Sequence, residues 1–322
     1  MKLKTWFLAV ASLMAVATVA FAEDYPTRPV KLLVGYGPGG ASDIFARVLA
    51  QQLSEILKQP FIVENRPGAS GTMAAAQTAK ATADGYTLFV NDISQFAITP
   101  LIMEKLPYDS RTAFTPIADG VGVPMALVAN PGTGFKTLAD LVRYAKANPG
   151  KLNYGSPGVG SAHHIGMEVL CKDFGIVLTH IPYKGASQYI PAVLTGEVQV
   201  ALTSFASALS YAKSGRFVLL AATSEQRFSS APDVPSVSES YKGSEFSMGL
   251  GVMAPKGVSP EIVSKLSGAI KTALETPAAK ERLLSIGLVP SWLSSQDYAE
   301  YITRNLDKYK RWLEELHLAL NH

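Results

Sequence analysis

Two short segments of the chain carry the residue types that hold an anion with the main chain alone. The first is Gly35-Tyr36-Gly37-Pro38-Gly39-Gly40-Ala41-Ser42-Asp43, and the second is Gly155-Ser156-Pro157-Gly158-Val159-Gly160-Ser161. Each follows a short apolar run and precedes a helical pattern. The first turn of a helix leaves about four backbone N–H groups without an intrahelical acceptor, and the aligned peptide dipoles add roughly half a positive charge there. Glycine lets a ligand come close to such a backbone. A helix start of this kind binds carboxylate or phosphate without any Arg or Lys. The hydroxyls of Ser42, Ser156 and Ser161 serve either to cap their helices or to hold a ligand. The alternative reading is a pair of ordinary strand-to-helix turns.

Other chemistry has less support. Gly35, Gly37 and Gly40 satisfy G-x-G-x-x-G, with Glu64 closing the next strand, which is the dinucleotide fingerprint. Pro38 stiffens a loop that would have to wrap a pyrophosphate, and no Gly-Lys-Ser/Thr follows to make a Walker A loop. A nucleophile elbow needs G-x-S-x-G, and both Gly68-Ala69-Ser70-Gly71 and Gly155-Ser156-Pro157-Gly158 miss it by one residue. His163-His164 lies near Ser161, so an exported hydrolase using Ser161 and His164 is a second alternative, although adjacent histidines on a helix point different ways. No histidine pair has zinc-binding spacing. The single cysteine, Cys171, falls in an apolar helix and reads as a core thiol.

The elements that position the two loops follow from hydrophobic period. Strands are expected at Lys31–Val34, Phe61–Val63 and Tyr86–Val90, alternating with helices at Ser42–Leu57 and Met73–Ala81. The stripe of the first helix is Ile44, Val48, Leu49, Leu53, Ile56 and Leu57. A second series opens after Val121. It has strands at Met125–Val128, Leu152–Tyr154, Thr179–Ile181, Val198–Leu202 and Met248–Ala254, with helices at Leu138–Ala147 and His163–Phe174. Ser259–Ile286 reads as two helices broken near Pro277, and Ser294 to Asp297 as a capping box for a last helix through Leu316. Strands alternating with helices imply βαβ units and parallel sheets.

Composition sets the class. A chain of 322 residues is long enough for two domains, and 48% apolar against 17% charged residues excludes a disordered chain. The formal charge is +3 with no dense basic run, so nucleic acid is not an expected partner. One cysteine excludes an internal disulfide framework. Residues 1–22 read as a secretory signal peptide. Lys2 and Lys4 precede an uncharged run from Trp6 to Val19, and Ala20-Phe21-Ala22 fits the cleavage pattern. The run is shorter than the ~20 residues that span a bilayer. A periplasmic location is expected, where nucleotide cofactors are scarce. No cofactor and no metal is expected.

The motifs taken together resemble the substrate-binding proteins of tripartite tricarboxylate transporters, the Bug or TctC-like receptors. The resemblance rests on Gly37 to Asp43, Val63-Glu64-Asn65-Arg66-Pro67-Gly68-Ala69-Ser70-Gly71, Asp84-Gly85-Tyr86-Thr87-Leu88 and Leu106-Pro107-Tyr108-Asp109. It continues through Lys151 to Ser156, His180 to Gly185, Ala231 to Val237 and Ala254-Pro255-Lys256-Gly257. These segments run in family order across essentially the whole chain after residue 22. The resemblance implies an α/β fold of the two-lobed type II periplasmic binding protein kind, each lobe a mainly parallel sheet flanked by helices. It puts residues 23–123 and 246–322 in one lobe and 124–245 in the other, with crossings near Gly122 and Ser244. It implies a receptor without catalysis. A small carboxylate-bearing metabolite would sit between the lobes, and membrane subunits of a tripartite-type transporter would receive it. A monomer is expected.

Carried over by position, Tyr36, Gly39, Gly40, Ser42, Asp43 and Ser70 line one side of the cleft, and Ser156, Gly160, Ser161 and His164 the other. Three positions depart from the family pattern. Thr203 stands where Asp is common, Gly249 where an aromatic is common, and Asn91-Asp92 where small uncharged residues are common. If Asp92 faces the cleft, it disfavours a free carboxylate beside it or welcomes a cationic group.

Overall fold

The computed structural model describes residues 25–316, apart from 104, 225, 229–230 and 243–246. The expected signal peptide and the crossing near Ser244 lie outside the described residues.

The chain opens with β1 (Val30–Val34), α1 (Ala41–Leu57), β2 (Phe61–Asn65), α2 (Thr72–Ala79) and β3 (Thr87–Asp92). Two single turns, α3 (Ser94–Ala97) and α4 (Thr99–Ile102), lead to the long strand β4 (Phe114–Ala129). There follow α5 (Leu138–Ala147), β5 (Asn153–Ser156), α6 (Ala162–Phe174), β6 (Thr179–Pro182) and α7 (Ala186–Thr195). Next come β7 (Val200–Ser204), α8 (Phe205–Lys213) and β8 (Val218–Ala222). The chain continues with β9 (Ser247–Pro255), α9 (Pro260–Glu275), α10 (Pro277–Ser285), β10 (Val289–Leu293) and α11 (Ser295–Glu315).

Two sets of strands share β4. One set has the order β2-β1-β3-β9-β4, with β10 also on β4, and the other has β4-β7-β5-β6, with β8 also on β4. Sixteen residues of extended chain span about 50 Å, which is long enough to serve both sets. Residues Phe114 to Pro124 pair with β9, and Met125 to Ala129 pair with β7. The outer strands are parallel, as β1 is to β2 and β3 and β5 is to β6 and β7. Strands β4 and β9 run antiparallel to their neighbours. The sheets are therefore mixed, parallel away from the crossing strands and antiparallel at them.

Parallel strands are covered on both faces and read as continuous apolar runs, and β1 buries Val30, Leu32, Leu33 and Val34 completely. α1 packs on this sheet through Phe45, Leu49 and Leu53, all fully buried. Each contributes roughly 1.5–3 kcal/mol by leaving water. The stripe is centred one residue away from the expected Ile44 and Val48, which are half-buried. Cys171 is buried among apolar neighbours, as its helix pattern implied. Among the described residues, no helix is long and apolar enough to cross a membrane.

Candidate functional site

Strand β1 delivers the first glycine loop to the start of α1. Gly39 takes φ +86°, a left-handed conformation that glycine adopts without strain. Gly40 caps the helix with φ −83°, and no side chain accepts from the first-turn amides. The loop is fastened from below. The Asp43 carboxylate accepts from the Gly39 amide at 3.0 Å, from Arg47 Nε at 3.0 Å and Nη2 at 2.9 Å, and from Asn65 Nδ2 at 2.9 Å. Asn65 also donates to the Tyr36 carbonyl at 3.0 Å. Burial is the largest influence on Asp43 and opposes its ionisation. The hydrogen bonds from Arg47, Gly39 and Asn65 together outweigh it and hold the carboxyl below its ordinary value. Asp43 is thus a brace for the loop and is not among the residues lining the cleft.

The second glycine loop closes on itself. Ser161 Oγ accepts from the His164 amide at 3.2 Å and donates to the Gly158 carbonyl at 2.8 Å. The Gly160 amide donates to His164 Nδ1 at 3.2 Å. Ser156 Oγ accepts from the Gly158 amide at 3.1 Å and sits 2.6 Å from His180 Nε2. The His164 and His180 rings stack at 4.2 Å. Burial pushes His164 down to about 3 and His180 down to about 4, so both rings are neutral at pH 7. Ser156, Gly160, Ser161 and His164, the expected second wall, are engaged with one another and with their own loop. These groups serve capping and loop closure, and Pro157 of the same loop is among the residues lining the cleft described next. Ser70 also sits beside this loop, donating to the Val159 carbonyl.

The second wall comes from two helices that the hydrophobic pattern does not reveal. α7 starts at Gly185 with no side-chain cap, and α8 starts at Ser204, whose hydroxyl accepts from the Ser207 amide at 3.4 Å. The start of α7 meets the start of α1 closely. A Cβ placed on Gly40 would stand 3.5 Å from Ala186 Cβ, and one on Gly185 would stand 3.2 Å from the Gly37 nitrogen. Between them lies a narrow cleft with a cavity volume of about 40 Å³. Of the expected residues, Tyr36, Gly39, Gly40, Ser42, Asp92 and Thr203 line it. Sequence reasoning missed Ala186, Tyr189, Ser204, Ser207, His163 and Met248, which line it together with Ala41, Pro157 and Ile190. A third glycine-led helix start, Gly185-Ala186-Ser187, was the available signal.

The polar groups in this cleft are ordered. Tyr36 donates its phenol to Asp92 Oδ2 at 2.7 Å, and Tyr189 donates to Thr203 Oγ1 at 3.1 Å. Asp92 ends β3 and is buried, with its amide held by Gln95 Oε1 at 3.1 Å. Burial pushes His163 down to about 4, so its imidazole brings no positive charge at neutral pH. Among the described residues, no Lys or Arg lines the cleft. An anion held here is held by amide hydrogens and helix dipoles.

The two alternative chemistries lack their geometry. Ser161 Oγ faces the His164 amide rather than its ring, and the ring nitrogen Nδ1 already accepts from Gly160. Glu64 would have to reach a ribose. It is instead paired with Lys31 at 2.9 Å and Arg66 at 3.0 Å, which hold its carboxyl below the ordinary value.

Comparison with known proteins gives a consistent picture. The family model described as "Tripartite tricarboxylate transporter family receptor" matches residues 45–318. A relative from Cupriavidus necator, "UPF0065 protein in gbd 5'region", is 38% identical over 317 residues, covering 97% of this chain and 94% of its own. The solved structure "R. palustris Rpa4515 with adipate" superposes with a TM-score of 0.89 at 30% identity, covering 92% of this chain and 99% of that one. MatC from Rhodopseudomonas palustris with bound malate superposes at 0.84 with 26% identity, covering 90% of this chain and all of that one.

Proposed function

The chain belongs to the tripartite tricarboxylate transporter receptor family, and from that premise we propose that it captures a small organic acid between two lobes and hands it to a tripartite-type membrane transporter, without catalysis. The lobes are residues 23–123 with 246–322, and residues 124–245. The change of β4 partner between Pro124 and Met125 supports the first boundary. The protein acts in the periplasm, where residues 1–22 would direct it. The bound adipate and malate of two structural relatives support a carboxylate as the ligand.

One observation carries the reading. Two helix starts without side-chain caps, at Gly40 and Gly185, face one cleft from opposite sides. Ala41 and Ser42 of the first turn of α1 line it on one side, and Ala186 with Ser204 and Ser207 line it on the other. A Kd near ~1 μM requires about −8 kcal/mol. Charge-assisted hydrogen bonds contribute roughly 1.5–3 kcal/mol each. Four or five from the two sides reach that order after the cost of closing the lobes. A ligand that bridges both sides binds the closed state selectively and shifts the hinge equilibrium toward it. Tyr36, Gly39, Gly40, Ser42, Asp92 and Thr203 are the ligand-facing residues. Asp43, Ser70, Ser156, Gly160, Ser161 and His164 keep the loops in shape. The test is a thermal-shift screen of small mono- and dicarboxylates, amino acids and aromatic acids. A true ligand at ~100 Kd adds about 2.7 kcal/mol of apparent stability. No shift with any acid, or turnover of an ester that is lost in Ser161→Ala, refutes the proposal.

A further inference from the structure

Between β2 and α2 four successive residues take positive φ, Gly68 at +141°, Ala69 at +45°, Ser70 at +53° and Gly71 at +91°. Ala69 and Ser70 carry a Cβ that crowds the following carbonyl in this left-handed region. Such strain lasts only where the surroundings hold it. The Ser70 carbonyl accepts from Gln95 Nε2 at 3.3 Å, and a Cβ on Gly35 would stand 2.5 Å from Gly71 Cα, so the segment is fixed to the body formed by β1, β2 and β3. The strained angle aims the Ser70 hydroxyl away from that body. The hydroxyl donates to the Val159 carbonyl, 89 residues along the chain in the second glycine loop, and Ser70 is 6% exposed. The approach there is close. A Cβ on Gly158 would stand 2.8 Å from Ser70 Oγ, and one on Gly160 would stand 2.4 Å from Ile102 Cδ1.

Resting on the two-lobe reading above, we propose that Ser70 is a clasp that holds the lobes together before any ligand arrives. The bond exists only while the second glycine loop lies against the segment between β2 and α2, so it favours the closed state without touching a ligand. Ser70 is thus a positioning residue, which lowers the cost of closure that a bound acid has to meet. Other contacts along this seam act differently. Ile165 and Val169 of α6 pack with Tyr309 and Leu313 of α11, an apolar contact that has no direction. Lys172 pairs with Glu315 at 2.6 Å, but the two side chains are 44% and 57% exposed, and such a pair contributes little. The Ser70 bond is both directional and shielded from water.

The test needs no ligand. Nitroxide labels at Glu55→Cys on α1 and Lys213→Cys on α8, both exposed positions, report the separation of the lobes by pulsed electron spin resonance. Cys171 is buried and stays in place. The protein with Ser70 intact is expected to show a closed population without added acid. Ser70→Gly removes the hydroxyl and suits φ +53°, so it should keep or raise the unfolding temperature while lowering the closed-to-open ratio about three- to tenfold. Ala69→Gly relieves strain, leaves the hydroxyl in place and should keep the ratio. Gly158→Ala carries the same backbone strain with or without the serine. It should therefore cost more closure beside Ser70 than in the Ser70→Gly background, which reports their contact. A ratio unchanged in Ser70→Gly overturns the proposal, as does a protein that is fully open without acid. A fall of equal size in Ala69→Gly overturns it too, since the backbone and not the hydroxyl would then set the ratio. If one distance is found in every variant, with and without malate or adipate, the lobes do not move and the two-lobe reading fails as well. Two distances at an unchanged ratio leave that reading intact and remove the clasp alone.

Discussion

Replacing Gly40 by leucine tests whether the facing helix starts hold the ligand. Gly40 has φ −83°, which any residue adopts, so leucine brings no backbone strain. Its Cβ would stand 3.5 Å from Ala186 Cβ, an ordinary van der Waals contact. The atoms beyond Cβ have to enter the space between α1 and α7. The fold should tolerate this, since an apolar residue in place of glycine at a helix cap costs about 1 kcal/mol or less. Binding should not. A leucine there screens the first-turn amides and keeps α7 from closing. Loss of two charge-assisted hydrogen bonds at roughly 1.5–3 kcal/mol each removes about 3–6 kcal/mol, a weakening of roughly 10²–10⁴-fold. Gly40→Ala, limited to the tolerated Cβ, should stay within about tenfold of wild type. Calorimetry with the tightest acid from the screen measures affinity, and thermal unfolding without ligand checks the fold. If Gly40→Leu unfolds at the wild-type temperature and binds as the wild type does, the helix starts do not hold the ligand.

Two further outcomes follow from the same contacts. Asn65→Ala removes the donor that ties the Tyr36 carbonyl and the Asp43 carboxylate together. It should lower stability by about 1–3 kcal/mol and weaken ligand binding, and unchanged values of both would show that the loop needs no brace. Burial pushes Asp119 on β4 from 3.8 up to about 7, against a weaker opposing hydrogen bond from Ser291 at 3.3 Å. Between those values the folded chain holds a proton that the unfolded chain has lost, so stability falls as pH rises from about 4 to 7. Asp119→Asn should be more stable than wild type at pH 8, by up to about 4 kcal/mol, with the gap closing toward pH 4 in urea unfolding. A gap that is constant with pH would contradict the assignment.

Much of this fold is legible in its residues, and what escapes has identifiable causes. Leu138–Ala147 forms over its expected range because Thr137 and Asp140 make a reciprocal capping box. The first half of β4 escapes notice because Pro116, Gly120, Gly122 and Pro124 interrupt any strand pattern. In the structure this half carries register shifts between Pro116 and Ala118 and between Asp119 and Val121. Helix α7 is hidden by Pro191 within it, and α8 by a run of Ser and Ala with little apolar contrast. Losing those two helices loses the second wall of the cleft. The second glycine loop is ambiguous for a different reason. A serine after glycine suits a cap and a ligand equally well, and the capping partner that decides between them, His164, is visible in three dimensions alone.

The most direct measurement is a crystal structure of the protein with the tightest acid found in the screen. The account predicts carboxylate oxygens about 2.7–3.2 Å from amide nitrogens in the first turn of α1 and in the first turn of α7 or α8, with both sides engaged at once. A carboxylate bound elsewhere, or one held by a single side with the cleft open, would contradict it.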